Sequence, residues 1–217
     1  DLTLYTSESS KPSSWYNTWN DGFSGTTVWG YSCIKTDGIT YGIKDGYAMV
    51  VRQSQNIAGD ITIASAIDYG GEKYTVTCIG NFAFENCALV TNINIPNSVT
   101  TIEAAAFKGC TSLATMTIPN SVINIGNVIF QGCSSLEEVI IGNKVTSIGS
   151  MIFYGCTNLK SVTFSDASNW YRINYDSSNA YTNWQNKTGG VQIDLSNSSN
   201  NVSLLKANSG MYYWEKK

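Results

Sequence analysis

One stretch of this sequence decides the fold: Ile102-Glu-Ala-Ala-Ala-Phe-Lys-Gly-Cys-Thr-Ser-Leu-Ala-Thr-Met-Thr-Ile-Pro-Asn-Ser-Val-Ile-Asn124. Its apolar residues and its cysteine recur at intervals of 23 residues on both sides. A fixed period of this length is typical of a solenoid, in which each unit buries its apolar face against its neighbours. The recurring columns are Ile79, Ile102, Ile125 and Ile148; Phe84, Phe107, Phe130 and Phe153; Cys87, Cys110, Cys133 and Cys156; Val90, Leu113, Leu136 and Leu159; and Ile95, Ile118, Ile141 and Phe164.

Each unit contains two short stretches with strand character. Residues 115–118 alternate, so Met116 and Ile118 face one way while Thr115 and Thr117 face the other. Pro119 has no N–H to give to a ladder and ends this strand. Residues 122–125 form the second strand. Stacked units therefore place like strands side by side in parallel sheets.

A turn connects the second strand of one unit to the first strand of the next. Residues 105–110 are too few for a free α-helix, and we expect one helical or 3-10 turn there. Gly109, Gly132 and Gly155 follow the turn, where a positive φ is needed, and Asn86 holds that place in the first unit.

The N-terminal flank carries part of a further unit. Residues 61–67 resemble residues 93–99, and Ile79 comes twelve positions after Ile67 whereas Ile102 comes three positions after Val99. The first unit is therefore nine residues longer, and the excess near 68–74 predicts an inserted hairpin. Residues 38–43 and 46–51 predict two strands joined by a turn at 44–46, which would cover the open end of the stack.

The composition excludes several classes of protein. The chain has 217 residues with a net charge of −3, and Arg52 and Arg172 are its only arginines, so no basic surface for nucleic acid is present. No run of about 18 apolar residues suggests a membrane span. The sequence opens at Asp1 without a signal-peptide pattern, and we expect a signal or lipid anchor to have been removed.

The repeat resembles the BspA-like leucine-rich-repeat family. The residues that carry the resemblance are Ile79-Gly-Asn-Phe-Ala-Phe84 with Cys87, Ile93-Asn-Ile-Pro96, Phe107-Lys-Gly-Cys110, Ile118-Pro-Asn-Ser-Val122, Phe130-Gln-Gly-Cys133, and Ile148-Gly149 with Phe153-Tyr-Gly-Cys156. The resemblance is specific over 79–164 and weaker over 39–78. Gly142 departs from the usual proline, and Glu103-Ala104 departs from the usual glycine.

The resemblance implies a leucine-rich-repeat solenoid with parallel strands and short helical or 3-10 turns. We expect a β-rich N-terminal cap with a partial first repeat at 1–78, four 23-residue repeats at 79–164 and an irregular C-terminal cap at 165–217. The family implies surface-exposed or secreted bacterial proteins, commonly regarded as adhesins, with no catalytic residue and no cofactor. The expected partner is a protein on a host or neighbouring cell or in the matrix around it, with a glycan as the alternative.

The sequence has few of the residue types and spacings that are typical of catalytic sites. The chain has no histidine, which removes the commonest general base and metal ligand. A pair of carboxylates needs no histidine, but Glu137 and Glu138 are adjacent on a strand and face opposite sides. Close Cys-x₂₋₄-Cys pairs for zinc are missing, so we predict neither a metal site nor an enzyme.

The cysteines predict a structural ladder. Cys87, Cys110, Cys133 and Cys156 lie between columns of large apolar residues, which favours buried free thiols over disulfides. Cys33 and Cys78 lie outside this ladder, and the sequence is compatible both with a bond between them and with two free thiols.

Two sets of residues are candidates for binding. All six tryptophans lie outside 79–164, and they can either stack on a ligand or cover the ends of the stack. The outward strand positions can either contact a protein or be merely solvated. The functions consistent with these features are a protein-binding adhesin, a carbohydrate-binding module and a structural spacer. The candidates are Trp15, Trp19, Trp170, Tyr171 and Trp184 from the flanks, and Asn92, Thr115, Glu138 and Ser161 from the strands.

Overall fold

The computed structural model describes residues 4–6, 27–29, 32–174, 191–206 and 212–217. Strands dominate, and α1 is the helix found within those ranges. The elements are β1 Leu4–Thr6, β2 Thr27–Trp29, β3 Ser32–Thr36, β4 Ile39–Lys44, β5 Tyr47–Val50, β6 Ala58–Thr62, β7 Ala66–Tyr69, β8 Glu72–Ile79, β9 Leu89–Asn94, β10 Thr101–Ile102, β11 Thr115–Ile118, β12 Asn124–Ile125, β13 Glu138–Ile141, β14 Ser147–Ile148, β15 Ser161–Phe164, β16 Trp170–Asn174, β17 Val191–Ile193, α1 Ser198–Lys206 and β18 Tyr212–Lys216.

The 23-residue units stack in register. The second strands of successive units, β8, β10, β12 and β14, pair in parallel and align Ile79, Ile102, Ile125 and Ile148. The first strands β11, β13 and β15 also pair in parallel and align Ile118 with Ile141 and Phe164, and β9 lies beside β11. The residues of these columns are buried. Residues that recur every 23 positions in the sequence therefore lie next to each other in the core.

The phenylalanine column forms the centre of the core. Phe84, Phe107, Phe130 and Phe153 are fully buried. Successive ring centroids lie 5.9, 5.6 and 5.6 Å apart, with interplanar angles of 19°, 14° and 4°. Such offset-stacked rings contribute about 0.5–1.5 kcal/mol per pair beyond the area they bury.

The connection at 105–110 forms hydrogen-bonded turns rather than a regular α-helix or 3-10 helix, so the expected single turn is confirmed only in its hydrogen bonds between residues three apart. The Lys108 N–H donates to the Ala105 carbonyl at 3.1 Å, as one turn would require. The Phe107 and Gly109 N–H groups instead donate to the next unit, to the Ile129 and Gln131 carbonyls at 3.0 and 2.8 Å. A helix cannot propagate because alternate donors are used between units.

Two columns in this turn have positive φ. The expected column, Asn86, Gly109, Gly132 and Gly155, has φ from 59° to 77°. The second column was not predicted, since its residues have no preference for this region: Phe82 (57°), Ala105 (56°), Val128 (51°) and Met151 (55°). The left-handed region costs a non-glycine residue about 1–2 kcal/mol. In the first three units the N–H of this residue donates to the next unit, at 2.9–3.0 Å, which helps to hold the conformation.

Glycine at position 149 is required by close approach of the preceding unit. A Cβ there would lie 2.5 Å from the Asn127 nitrogen and 2.5 Å from the Gly126 carbonyl carbon. We expect Gly149→Ala to destabilise the protein by about 1–3 kcal/mol because backbone must shift. Urea unfolding measures this, and Ser147→Ala, on the outer side of the neighbouring strand, is the control. Equal midpoints for Gly149→Ala and the unmodified protein would contradict the close-approach account.

The N-terminal strands join the same sheet. The predicted strands are confirmed as β4 and β5, which pair antiparallel, and β3 pairs with β4. The match of 61–67 to 93–99 is confirmed by parallel pairing of β6 and β9, which aligns Ile61 with Ile93. One role was missed: β5 also pairs in parallel with β8 and places Val50 in line with Ile79. The first unit is thus more complete than the sequence predicted.

The described part of the C-terminal segment is regular, which corrects the expected irregular cap: it contains β16, β17, α1 and β18. β18 pairs antiparallel with β14 and places Trp214 beside Ile148, and β16 lies between β18 and β17. Helix α1 lies against β15. Its Asn201 amide donates to the Val162 and Leu195 carbonyls at 2.8 and 2.9 Å. The first contact satisfies a carbonyl of the repeat strand β15, and the second satisfies a carbonyl just after β17.

Candidate protein-contact face

The first strands of the units present one continuous outer surface. In β11, Met116 and Ile118 are buried while Thr115 and Thr117 are exposed, and β13, β15 and the part of β9 from Asn92 onward follow the same alternation. This alternation arises because successive side chains on a strand point to opposite faces. We call the outward side the contact face; it consists of Asp60, Thr62, Asn92, Asn94, Thr115, Thr117, Glu138, Ile140, Ser161 and Thr163.

The structure brings the predicted strand residues together. Thr115, Glu138 and Ser161 align directly across β11, β13 and β15, and Asn92 holds the equivalent position on β9. Asn92, Thr115 and Glu138 are exposed, and Ser161 is half-buried. Neighbouring strands are spaced by about 4.8 Å, so the column offers hydroxyl, amide and carboxylate groups at regular short intervals.

The contact face extends further towards the N-terminus than predicted. Asp60 and Thr62 on β6 align with Asn92 and Asn94, and the Thr91 hydroxyl donates to the Asp60 carboxylate at 2.7 Å. The pairing register shifts at Gly59, where φ is 77°, as in a β-bulge. The signal that could have found this extension is the alternation around Ile61, which matches that around Ile93.

Apolar and charged residues modify the otherwise polar face. Ile140 is 44% exposed within it, and Leu89, 57% exposed, lies at the start of β9. Glu137 and Lys160 form an exposed ion pair of 2.7 Å beside the face. The face therefore combines short hydrogen-bonding groups, two carboxylates at Asp60 and Glu138, and one exposed aliphatic side chain. The two carboxylates lie on strands that β9 and β11 separate.

The flank aromatics do not form the predicted platform where the structure describes them. Trp170 is only 1% exposed, and its indole N–H donates to the Asp166 carbonyl at 3.0 Å while its ring contacts Phe164 edge-on. Its prediction as a ligand-stacking residue is wrong because the ring closes the core after the last repeat. Tyr171 is half-buried, with the Lys217 amine 5.0 Å from its ring centroid. Trp15, Trp19 and Trp184 lie outside the described residues.

The cysteine column is a ladder of free, buried thiols, as predicted. The thiols of Cys110, Cys133 and Cys156 donate to the carbonyls of Phe84, Phe107 and Phe130 in the preceding unit, at 3.1, 3.1 and 3.0 Å. Burial raises the pKa of Cys110 and of Cys156 to about 12. Burial also raises the pKa of Cys133, and the neighbouring thiols add to the effect. The thiols therefore stay protonated and serve packing.

Cys33 and Cys78 are not bonded to each other. Cys33 aligns with Gly42 on β4, Gly42 with Met49 on β5, and Met49 with Cys78 on β8. Three strand spacings separate the two cysteines, about 14 Å, which is well beyond the distance that a disulfide can bridge.

The described residues contain no cluster of three or more acidic or cysteine side chains that could hold a metal ion. None of their helices is long and apolar enough to cross a membrane.

Comparison with known proteins identifies the repeat. The family described as BspA type leucine rich repeat region matches residues 74–190 in six copies, which is more than half of the chain. This chain belongs to the BspA-type leucine-rich repeat family. The resemblance noted in the sequence is thereby confirmed.

Solved structures of leucine-rich repeat proteins share the fold. A leucine-rich repeat protein from Bacteroides capillosus is 29% identical over 62% of this chain and 99% of its own, with a TM-score of 0.56. The leucine-rich repeat protein of T. pallidum is 25% identical over 60% of this chain and 71% of its own, with a TM-score of 0.50. No curated protein matches the chain.

Proposed function

We propose that this chain is a non-enzymatic adhesin, presented at the cell surface or secreted, that binds proteins of a host or neighbouring cell through its contact face. The single observation that carries the proposal is the continuous, regularly spaced outer surface of the first strands. In this proposal the stacked repeats form a solenoid, and residues 1–78 and 165–217 are its caps. Membership of a bacterial repeat family supports presentation outside the cell.

Flat surfaces of this kind suit proteins better than sugars. Sugar rings are bound most effectively by exposed aromatic faces, and the described tryptophans with placed side chains, Trp170 and Trp214, are buried. A protein partner can use the dense hydrogen-bonding groups of the contact face, with Ile140 on β13 supplying apolar contact area.

The direct test is a binding screen of the purified protein against extracellular-matrix proteins and a glycan array in parallel. We expect saturable binding to a protein that weakens at least tenfold in Thr115→Arg, because the long charged side chain disrupts close contact across the face. Asn124→Arg is the matched control. Asn124 is exposed on the other sheet, and its substitution by Arg introduces the same charge away from the contact face. Loss of binding in both variants would show that charge, not the contact face, is responsible. Binding to glycans alone would favour a carbohydrate-binding module.

A further inference from the structure

A hairpin interrupts the repeat at a place where the fold does not need one. A later unit closes the same connection with two residues between Val99 and Ile102, whereas the first uses eleven between Ile67 and Ile79. The additional chain forms β7 and the first half of β8, which pair from Ala66 with Thr75 to Tyr69 with Glu72. Residues 68–73 are all exposed, so the hairpin projects from the stack. Insertions in repeat proteins commonly carry contacts with partners.

The hairpin has a tight turn at its tip and is anchored in the core at its root. Its two-residue turn consists of Gly70 and Gly71 with φ of 62° and 86°, the positive values that a type I′ turn requires. At its root, Ile67 is buried in the core and Tyr74 packs partly against it. The root therefore anchors the hairpin to the repeats, while the side chains near the tip are exposed.

The two faces of the hairpin differ in their electrostatics. On one face Lys73 and Asp68 lie opposite each other and form an ion pair of 3.2 Å. On the other face Glu72 lies directly opposite Tyr69, and Tyr74 follows Glu72 by two residues on the same side. Residues directly opposite have Cβ atoms about 4.5–5.5 Å apart. Glu72 forms no ion pair with any residue in the described ranges, and Tyr69 is 41% exposed.

We propose that this face of the hairpin is a second contact site, which takes up a Lys or Arg side chain of a partner protein. The cation would lie over the ring of Tyr69, with Tyr74 towards the root, and would pair with the Glu72 carboxylate. An aromatic face and a carboxylate both attract a cation, and the two together favour a basic side chain over an acidic or neutral one. The proposal rests on the proposed function only in supposing a protein partner, and it uses a surface separate from the contact face.

The test is a nuclear magnetic resonance titration with two peptides, acetyl-Gly-Ser-Arg-Ser-Gly-amide and its twin with neutral citrulline in place of Arg. We expect the Arg peptide to shift the amide signals of residues 66–75 saturably and to bind more tightly than the citrulline peptide. Glu72→Gln should weaken binding about threefold, and Tyr69→Leu, which keeps an apolar side chain but removes the aromatic face, should also weaken it.

Asp68→Asn is the matched control, because it removes the same charge from the opposite face of the same hairpin. It should leave the affinity for the Arg peptide unchanged. Equal weakening by Asp68→Asn and Glu72→Gln, shifts centred on the contact face, or equal binding of both peptides would each overturn the proposal. Thr115→Arg should not affect the titration, so a failure at the hairpin and a failure at the contact face are separate results.

Discussion

Between about pH 8.5 and pH 12, the free energy of unfolding is expected to fall by about 1.4 kcal/mol per pH unit for each thiol of the buried ladder. Below about pH 8.5 the thiols are protonated in both states and the stability is fully present. Above it the unfolded chain loses protons, while burial holds the folded pKa of Cys110 and of Cys156 at about 12. The free energy of unfolding therefore falls steadily as the pH rises, and it levels off once the pH passes the pKa of the thiols in the folded protein.

Urea unfolding at pH 8, 9, 10 and 10.5 measures this slope. The Cys133→Ala variant should show a shallower fall, by about 1.4 kcal/mol per pH unit, because one titrating group has been removed. Iodoacetamide should modify the four ladder thiols slowly in the folded protein and rapidly in urea. An unchanged slope in Cys133→Ala, together with rapid modification of the folded protein, would show that the ladder is accessible to solvent.

The second large effect is expected at the centre of the phenylalanine column. Phe130→Ala should destabilise the protein by about 3–5 kcal/mol, because it opens a cavity between the rings of Phe107 and Phe153, each 5.6 Å away. Thr117→Ala, on the contact face, should change stability by less than about 0.5 kcal/mol. The difference between the two variants is measured by urea unfolding at neutral pH. Similar losses at both positions would contradict the assignment of inner and outer side chains.

The repeat could be predicted because burial selects the same residue type at the same place in every unit. The isoleucine, phenylalanine and cysteine columns had to face inward, and the alternation around Met116 then placed Thr115 and Thr117 outward. The contact face followed from the same reasoning. Its extension onto β6 needed the same alternation to be recognised around Ile61, where the inserted hairpin interrupts the period.

Other features carried no signal in the residue types. Phe82, Ala105, Val128 and Met151 adopt positive φ, and none of these side chains indicates it. In the first three of them a hydrogen bond to the next unit helps to hold the conformation. Trp170 follows the last repeat, where no period remains to show which way a side chain points. Its burial depends on β16 and β18, which pair with each other antiparallel after a long separation in the sequence. Pairing of that kind is not visible in a single sequence.

The hydrogen bonds between the turns of successive units also give the stack a net dipole along its axis. The N–H groups of Phe82, Phe84 and Asn86 all donate to carbonyls of the following unit, and the two units after it repeat the arrangement. In an ordinary sheet the peptide dipoles nearly cancel, whereas here one row of amides points the same way along the stacking axis. Partial positive charge therefore accumulates towards the C-terminal end of this row and partial negative charge towards its start, as the termini of a helix differ in sign. A partner approaching one end of the stack would meet a different potential from one approaching the other.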